Sequence, residues 1–377
     1  MFIPFNKPFL TGKETAYIEE AVASGKISGN GLFTQKCQSF FEEKFNIKKA
    51  LLTTSCTDAL EMCAILLNLK EGDEVIMPSY TFVSTANAFV LRGAKIVFAD
   101  SRADNPNIDE TKLEPLITKK TKAIVVVHYA GVSCAMDEIM TLATKHNLFV
   151  VEDAAQAIDG YYKEKPLGSI GHLATFSFHE TKNIISGEGG LLAINDDRFT
   201  ERAEIIWEKG TNRSAFFRGE VDKYGWVDIG SSFLPSEITA AFLYAQLEQL
   251  EAIQNKRKEI WDTYYDLLKP LADNGVIQLP FIPEYATNNG HMFYIKCKDI
   301  NERSSLIAHL KTQNVHAVFH YISLHSSEYF NGFHDCRELV ESDEYTQKLL
   351  RLPFFYELTI DDVLNIATQI KKFFDEK

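Results

Sequence analysis

The stretch that decides the fold is residues 148–153, LFVVED, in which an apolar run leads directly into two carboxylates. A similar run, AIVVVH, occupies residues 123–128, and residues 136–146 between the two runs have a helical pattern. Continuous apolar runs are typical of parallel strands that are covered on both faces. The intervening helix supplies the crossover that two parallel strands need. These residues therefore predict an open α/β sheet.

The same alternation extends in both directions from this stretch. The predicted strands are 74–78, 95–100, 123–128, 148–153, 175–178, 191–194, 291–296 and 315–319, and the predicted helices include 82–92, 202–207, 235–260, 304–311 and 363–374. We place a domain boundary in the long helix 235–260. Residues 1–250 are then a large α/β domain with a mostly parallel central sheet flanked by helices. Residues 251–377 are a smaller C-terminal α+β domain.

Composition excludes several classes of protein. The chain of 377 residues is 45% apolar, which is enough for a large core and two domains. The formal net charge of −13 argues against general nucleic-acid binding. No apolar run approaches the roughly 20 residues that span a bilayer, and residues 1–5 lack the basic start of a signal peptide. The six cysteines form no CxxC pair, so neither a zinc site nor disulfides are predicted. We expect a cytoplasmic protein.

Polar and aromatic residues follow the ends of the predicted strands. Thr57, Phe82, Asp153, Gln156 and Ser177 all occupy such positions. Open α/β sheets bind ligands beyond the carboxyl ends of their strands, so we expect these side chains to share a site. An unpaired carboxylate is costly at the end of so apolar a strand. Asp153 is therefore expected either to cap a following helix or to face a cationic ring nitrogen.

Two further segments suggest the ligand. Residues 53–58, TTSCTD, lead into an apolar helix, and free N–H groups at a helix start bind phosphate well. The alternative is an ordinary Ser/Thr N-cap. Lys182 lies between a β-rich run and the glycine cluster 187–190, GEGG. A lysine in a partly desolvated pocket can have its pKa lowered enough to form a Schiff base, and we expect Lys182 to carry pyridoxal phosphate in this way.

Histidines and a long irregular segment complete the candidate residues. His320 and His325 lie without nearby cysteines or carboxylates, which favours surface or substrate contacts over a metal site, and no metal is predicted. Residues 209–233, which include Arg213 and Tyr224, lack clear periodicity. Segments of that length without periodicity are usually functional or mobile.

Together these motifs resemble the sugar-nucleotide aminotransferases of the DegT type, within the aspartate-aminotransferase-like pyridoxal phosphate enzymes of fold type I. The matching segments are 55–59 (SCTDA), 78–82 (PSYTF), 151–156 (VEDAAQ), 176–179 (FSFH) with Lys182, and 187–190 (GEGG). Segments 179–183 (HETKN), 209–214 (KGTNRS) and 319–321 (FHY) are similar to the enterobacterial common antigen branch, which aminates TDP-4-keto-6-deoxyglucose at C4.

The resemblance implies a role for each matching residue. Lys182 would form the Schiff base, Asp153 would pair with the pyridine nitrogen, and Gln156 would contact the ring hydroxyl. Phe82 would stack on the ring. Ser177 and the amides of Cys56 and Thr57 would hold the phosphate. The family is usually homodimeric, and each active site borrows residues from the neighbouring subunit.

The chain departs from the family at two places. Many relatives have glycine where Cys56 stands. Many also have asparagine and arginine where this chain has Ser232 and Leu234. That asparagine typically reaches the neighbouring subunit's cofactor phosphate. Ser232 would replace it with a shorter reach, or water would fill the gap.

The function implied by the resemblance is transfer of an amino group from L-glutamate to TDP-4-keto-6-deoxy-D-glucose at C4. The product would be a TDP-4-amino-4,6-dideoxyhexose for cell-surface polysaccharide such as lipopolysaccharide O-antigen. The substrate contacts expected are His320, Tyr321, His325, Arg213 and Tyr224. The runner-up is amination at C3 of a similar TDP-3-keto-6-deoxyhexose.

Three other activities are disfavoured. The resembling sugar dehydratases have histidine where Lys182 stands. A transcription regulator would need an added DNA-binding domain, for which this acidic chain has no spare residues. A protein that binds the cofactor without catalysis would not need the lysine, aspartate, glutamine and serine positions to be intact.

Overall fold

The computed structural model describes residues 2–375, so Met1, Glu376 and Lys377, at the outer ends of the predicted domain ranges, lie outside the described residues. The strands are β1 Lys49–Thr53, β2 Glu74–Pro78, β3 Lys95–Ala99, β4 Thr121–Val127, β5 Phe149–Asp153, β6 Tyr161–Tyr162, β7 Lys165–Pro166, β8 Leu173–Ser177, β9 Gly190–Ile194, β10 Tyr294–Lys296, β11 Val318–Phe319 and β12 Leu349–Arg351. The helices are α1 Glu14–Ala23, α2 Leu32–Lys44, α3 Cys56–Leu66, α4 Val83–Val90, α5 Met136–His146, α6 Thr200–Trp207, α7 Arg213–Phe217, α8 Glu237–Leu247, α9 Leu250–Asp273, α10 Ile300–Thr312, α11 Val340–Lys348 and α12 Ile360–Asp375.

A seven-stranded sheet with the order β1-β9-β8-β5-β4-β2-β3 forms the centre of the molecule. The pairs β2/β3, β2/β4, β4/β5 and β5/β8 are parallel, whereas β9 runs antiparallel to both of its neighbours. The predicted α/β fold with a mostly parallel sheet is confirmed.

The reversal of β9 determines how the segment that carries Lys182 is held. In the antiparallel pair β8/β9, Ser177 lies opposite Gly190. The loop 178–189 therefore leaves the sheet at the end of β8 and re-enters it at the adjacent position. Lys182 lies in this loop, beyond the carboxyl end of β8.

Each face of the sheet is covered by helices, which explains the continuous apolar strands. In β4, Ile124 and Val126 contact one core together with residues of α2, α5 and α8. Ala123 and Val125 contact the other core together with residues of α3, α4 and α6. Neither face of the sheet is exposed to water here, so these β4 residues are apolar whichever face they point to.

A second, three-stranded antiparallel sheet, β10-β12-β11, packs with α9, α10 and α12 around a separate core. The predicted single helix 235–260 is two helices, because Gln249 has non-helical backbone angles (φ −107°, ψ 11°) between α8 and α9. The strand predicted from His291 begins only at Tyr294, since the amide of His291 donates to Asn289 Oδ1 (3.0 Å). No helix within residues 2–375 is both long and apolar enough to cross a membrane.

A buried carboxylate stabilises the start of α2. Glu237 accepts hydrogen bonds from the amides of Gly31 (2.9 Å), Phe33 (2.7 Å) and Thr34 (3.0 Å), and also from the Thr34 hydroxyl. Negative charge is favourable at a helix N-terminus. We therefore expect Glu237→Gln to lower the free energy of unfolding by about 2–3 kcal/mol, measured by urea denaturation. Glu251→Gln, at an exposed position of α9, is the control, and equal midpoints for the two variants would contradict the expectation.

Candidate active site

A cavity of about 520 Å³ lies at the carboxyl edge of the large sheet, beyond the ends of β2, β4, β5 and β8. It gathers most of the residues that the sequence singled out. Its lining comprises Ser55, Cys56, Thr57, Leu60, Thr81, Phe82, Ser84, Thr85, Val127, Asp153, Ala155, Gln156, Ser177, His179, Thr181, Lys182, Glu188, His291, His320, Tyr321 and Arg351.

One end of the cavity is formed by the N-terminus of α3. Ser55 is an ordinary N-cap, because its hydroxyl accepts from the amide of Asp58 (3.0 Å). The other first-turn amides have no acceptor within the helix, and the Thr57 hydroxyl donates to Ser84 Oγ (2.8 Å). Gly190 allows this close packing, since a Cβ there would lie 2.4 Å from the Cys56 nitrogen. This end fits a phosphate.

Asp153 ends β5 inside the cavity and is only 5% exposed. Its carboxylate accepts from the Thr85 hydroxyl (2.7 Å) and from the amide of Ala155 (3.1 Å). It caps no helix, because turns follow the strand. Burial raises the pKa of Asp153 above its ordinary value. A cation beside it would stabilise the charged form, so the site fits a protonated ring nitrogen.

Lys182 brings an amine to the same cavity. Among the residues from 2 to 375 no hydrogen bond or ion pair reaches its Nζ, although its backbone amide donates to the His179 carbonyl (2.9 Å). Burial lowers the pKa of Lys182, against the opposing influence of Cys56 and Asp153. A half-buried amine that loses its proton easily is a suitable nucleophile toward an aldehyde.

The remaining wall of the cavity is formed by aromatic rings and by a side-chain amide. Phe82 is 55% exposed, and its ring centroid lies 6.1 Å from that of Tyr321. Gln156 accepts from the amide of Ala130 (2.7 Å) and donates from Nε2 to the Tyr321 hydroxyl (3.2 Å). An exposed aromatic face, an unpaired amine, a buried carboxylate and a helix N-terminus are the groups that pyridoxal phosphate requires. The residues present therefore fit this cofactor.

Comparison with known proteins identifies the family. Residues 8–371 match the DegT/DnrJ/EryC1/StrS aminotransferase family. The chain belongs to this family. Among the relatives of this chain, GDP-perosamine synthase of Escherichia coli O157:H7 is 31% identical, and the match covers 100% of both chains. The spore coat polysaccharide biosynthesis protein SpsC of Bacillus subtilis is also 31% identical, over 98% of this chain and 96% of that protein.

Solved structures of aminotransferases have the same fold. An aminotransferase from Psychrobacter cryohalolentis superposes with a TM-score of 0.93 at 26% identity, over 100% of this chain and 99% of the other. Helicobacter pylori PseC, an aminotransferase of pseudoaminic acid biosynthesis, gives a TM-score of 0.91 at 26% identity over 100% of each chain. As a member of the DegT family, the protein is a sugar aminotransferase that uses pyridoxal phosphate.

Four predicted site residues lie outside this cavity. Ser232, Arg213 and Tyr224 line a second cavity of about 400 Å³, together with Lys26 and Lys209. His325, predicted as a substrate contact, is instead bonded internally: its Nδ1 lies 2.7 Å from Ser79 Oγ. The turn at 324–326 directs it against the end of β2. Within residues 2–375 no cluster of His, Cys, Asp and Glu is suited to a metal ion.

Thr85, His291 and Arg351 are among the lining residues that the sequence did not assign to the site. Thr85 lies one helical turn after Phe82 and bonds Asp153. The sequence pattern predicts a strand from His291 and indicates no role for Arg351. The one available signal for Arg351 was a lone charge inside the apolar run 349–352, LLRL.

The lowered pKa of Lys182 predicts a pH dependence for cofactor attachment. A depressed pKa means that the neutral amine prevails at lower pH than for an ordinary lysine. The rate of covalent pyridoxal phosphate attachment to the cofactor-free protein should rise with pH to a plateau, with its midpoint below about 10.4. The rate of attachment at each pH is measured by borohydride trapping and mass spectrometry of the Lys182 peptide. The rate at Lys165, an exposed lysine, serves as the reference. A midpoint matching that of Lys165 would refute the expectation.

Proposed function

We propose that the protein transfers the amino group of L-glutamate to C4 of a nucleotide-linked 4-keto-6-deoxy sugar, TDP-4-keto-6-deoxy-D-glucose, for cell-surface polysaccharide synthesis. The observation that carries the proposal is the pairing, in one cavity, of an unpartnered Lys182 with the buried carboxylate of Asp153. Transamination needs both: an amine to hold the cofactor, and an acid to keep its ring nitrogen protonated.

Several lining residues have a part in this chemistry. Lys182 would hold the cofactor, and its amine would serve as the general base for the proton on the reacting carbon of the substrate. When bound, pyridoxal phosphate supplies an electron sink for that proton transfer. Asp153, itself fixed by Thr85, would keep the ring nitrogen charged. Phe82 would stack on the ring, and Gln156 would contact the ring hydroxyl. Cys56, Thr57 and Ser177 would hold the phosphate near the start of α3.

A homodimer explains the second cavity. Lys26, Lys209 and Arg213 make its wall cationic, and Ser232 lies among them. Trp226 is 84% exposed close by in sequence. A second copy of this chain would cover such apolar surface, and Ser232 would then approach the neighbouring subunit's cofactor phosphate. Arg213 and Tyr224 would contact the sugar nucleotide held there.

The division into domains is also part of this proposal. Residues 1–250 would form the cofactor domain and residues 251–377 the smaller domain. The smaller domain contributes His291, His320, Tyr321 and Arg351 to the cavity wall, so the cavity lies between the two. His320 and Tyr321, whose ring centroids lie 3.4 Å apart, are the proposed sugar contacts.

The names of the relatives support the substrate class. One is a spore coat polysaccharide biosynthesis protein and another makes GDP-perosamine. Segments 179–183, 209–214 and 319–321 favour the TDP-4-keto-6-deoxyglucose branch over a GDP sugar. The choice of C4 over C3 rests on the same segments.

The deciding experiment is incubation of the holoenzyme with L-glutamate and TDP-4-keto-6-deoxy-D-glucose, followed by NMR of the product. We expect a new amine-bearing carbon at C4 and one equivalent of 2-oxoglutarate. Parallel incubations with TDP-3-keto-6-deoxyglucose and GDP-4-keto-6-deoxymannose test the runner-up carbon and the carrier. An amine at C3, or faster turnover of the GDP sugar, would overturn the assignment.

A further inference from the structure

His291 lies in the cavity wall, and its two ring nitrogens have different surroundings. Its Nδ1 lies 2.7 Å from Asn183 Oδ1, and Asn183 directly follows Lys182 in the chain. Within residues 2–375 its Nε2 forms no hydrogen bond, although the residue is only 4% exposed. Because His291 lines the cavity, Nε2 is the polar atom that the ring offers to a group inside it. Whether Nε2 carries a proton decides what it can bind.

A chain of buried amides determines where the proton of the ring lies. Gln254 Nε2 donates to the carbonyls of Ile158 (3.4 Å) and Asn289 (3.1 Å). Its Oε1 must then face Asn183, whose Nδ2 donates to that Oε1 (2.8 Å) and to the Asn289 carbonyl (3.0 Å). The opposite orientation of either amide would set oxygen against oxygen in a buried place. Asn183 Oδ1 therefore faces His291, and only a protonated Nδ1 can donate to it.

The ring of His291 is also neutral. Burial lowers the pKa of His291 well below its ordinary value. Positive charge near the ring lowers the pKa further, and its sources are Lys182, Arg351, Arg257 and a proton on His320. A neutral ring with its proton on Nδ1 has a lone pair on Nε2. His291 is therefore a hydrogen-bond acceptor that cannot donate into the cavity.

We propose that His291 Nε2 accepts a hydrogen bond from the amine of Lys182 when that amine is not attached to the cofactor, an inference that rests on the proposed function. Both residues line the same cavity. Nζ is a donor and Nε2 an acceptor, and neither has a partner in the part of the chain that the structure describes. The charge of Lys182 acts on the His291 ring, so the two groups are near each other. The flexible four-carbon stem of a lysine allows its amine to turn toward the ring.

The position of the ring proton matters for the base that Lys182 would provide. A neutral amine takes up a proton with its single lone pair, and an N–H group that donated to this pair would block it. His291 instead accepts from an N–H of the amine, which leaves the lone pair free. Once Lys182 has taken the proton from the reacting carbon, its ammonium still donates to Nε2, and the proton stays on the lysine because the ring resists protonation. His291 is thus a positioning residue that acts through Lys182.

NMR of the ring tests the proton position without any substrate. Two-bond ¹H–¹⁵N correlation spectra of cofactor-free protein labelled with ¹⁵N-histidine distinguish the two neutral tautomers from each other and from the charged ring. The signal that disappears in His291→Asn should be that of a neutral ring protonated on Nδ1 between about pH 6 and 8. A ring protonated on Nε2, or a ring that is charged at neutral pH, would overturn the proposal.

Two substitutions separate the lone pair of His291 from its bond to Asn183. His291→Asn can place an amide N–H where Nδ1 lies and still donate to Asn183, but it has no acceptor at the position of Nε2. His291→Gln can place its amide oxygen at the position of Nε2 but loses the bond to Asn183. The maximal rate at which L-glutamate converts the bound cofactor, followed by absorbance, should fall about 10- to 10²-fold in His291→Asn and less than about fivefold in His291→Gln. Equal losses, or the reverse order that a purely structural role predicts, would refute the assignment.

The pH profile of cofactor attachment provides a readout besides activity. The lone pair of Nε2 favours the charged form of Lys182, so its loss in His291→Asn should lower the midpoint for attachment at Lys182 relative to wild type and to His291→Gln. Entry of water would instead raise the midpoint toward that of an ordinary lysine. His316→Asn is the matched control, because His316 is exposed and does not line the cavity, and its midpoint should equal that of wild type. An unchanged or raised midpoint in His291→Asn would contradict the role of His291.

These measurements do not need the sugar, so they separate this inference from the proposed function. The Nδ1 tautomer and the greater loss in His291→Asn, found in a protein that aminates no sugar, would preserve the role of His291 and refute the proposed function. Amination of the sugar at equal rates by His291→Asn and His291→Gln would preserve the proposed function and refute the role of His291.

Discussion

Lys182→Ala is expected to abolish amino transfer, with a loss in kcat of at least about 10⁴-fold, because one side chain both holds the cofactor and moves the proton. Borohydride treatment of the wild-type holoenzyme should add the mass of reduced pyridoxal phosphate to the Lys182 peptide. The variant should gain none, although its phosphate cradle at the start of α3 is intact. A turnover assay with L-glutamate and the keto sugar measures the loss in kcat, and peptide mass spectrometry measures the attachment of the cofactor.

Two controls isolate the amine of Lys182. Lys182→Arg keeps a positive charge but lacks a nucleophilic amine, so it should be as inactive as the alanine variant. Lys165→Ala removes an exposed lysine from the short β6/β7 hairpin and should behave as wild type. Cofactor attached to another lysine in wild-type protein would remove Lys182 from its proposed role.

Asp153→Asn should retain the cofactor but lose turnover about 10²- to 10⁴-fold, the range for removal of a well-placed acid or base. The amide has the shape of the carboxylate, so the hydroxyl of Thr85 and the amide of Ala155 still have an oxygen to bond. The missing part is the negative charge that keeps the ring nitrogen protonated. Steady-state turnover measures the loss of activity, and titration with the cofactor, followed by absorbance, measures whether the cofactor is retained.

The control for this variant is Asp159→Asn. Asp159 lies six residues after Asp153 and does not line the cavity. It pairs at the surface with Lys258 (3.8 Å), so its loss should leave turnover within about twofold. Near-normal turnover in Asp153→Asn would show that the ring nitrogen does not depend on this carboxylate.

The sequence predicted those parts of the molecule that depend on local pattern. The apolar runs at 123–128 and 148–153 indicated a covered parallel sheet, and ligand chemistry at strand ends follows from that topology. Asp153 and Lys182 line one cavity because their strands, β5 and β8, are neighbours. The sequence could not indicate which strands are neighbours without the resemblance to a family.

The missed residues depend on pairing between distant segments. Arg351 reaches the cavity because β12 pairs with both β10 and β11, which are separated from it by tens of residues in sequence. His325 shows the converse, since it does not line the cavity with His320. It is close to His320 in sequence, but its hydrogen bond to Ser79 joins it to a distant part of the chain. Sequence proximity indicates little where tertiary contacts determine the direction of a side chain.

The reversed strand β9 has an evolutionary consequence. Because Ser177 and Gly190 are paired, the loop 178–189, which carries Lys182, starts and ends at the same level of the sheet. Exchanges at the exposed positions Gly187 and Glu188 would not shift the register of any strand. Glu188 lines the cavity, so the lining near the lysine can change there while the sheet stays unchanged, which makes this position a natural target for laboratory evolution.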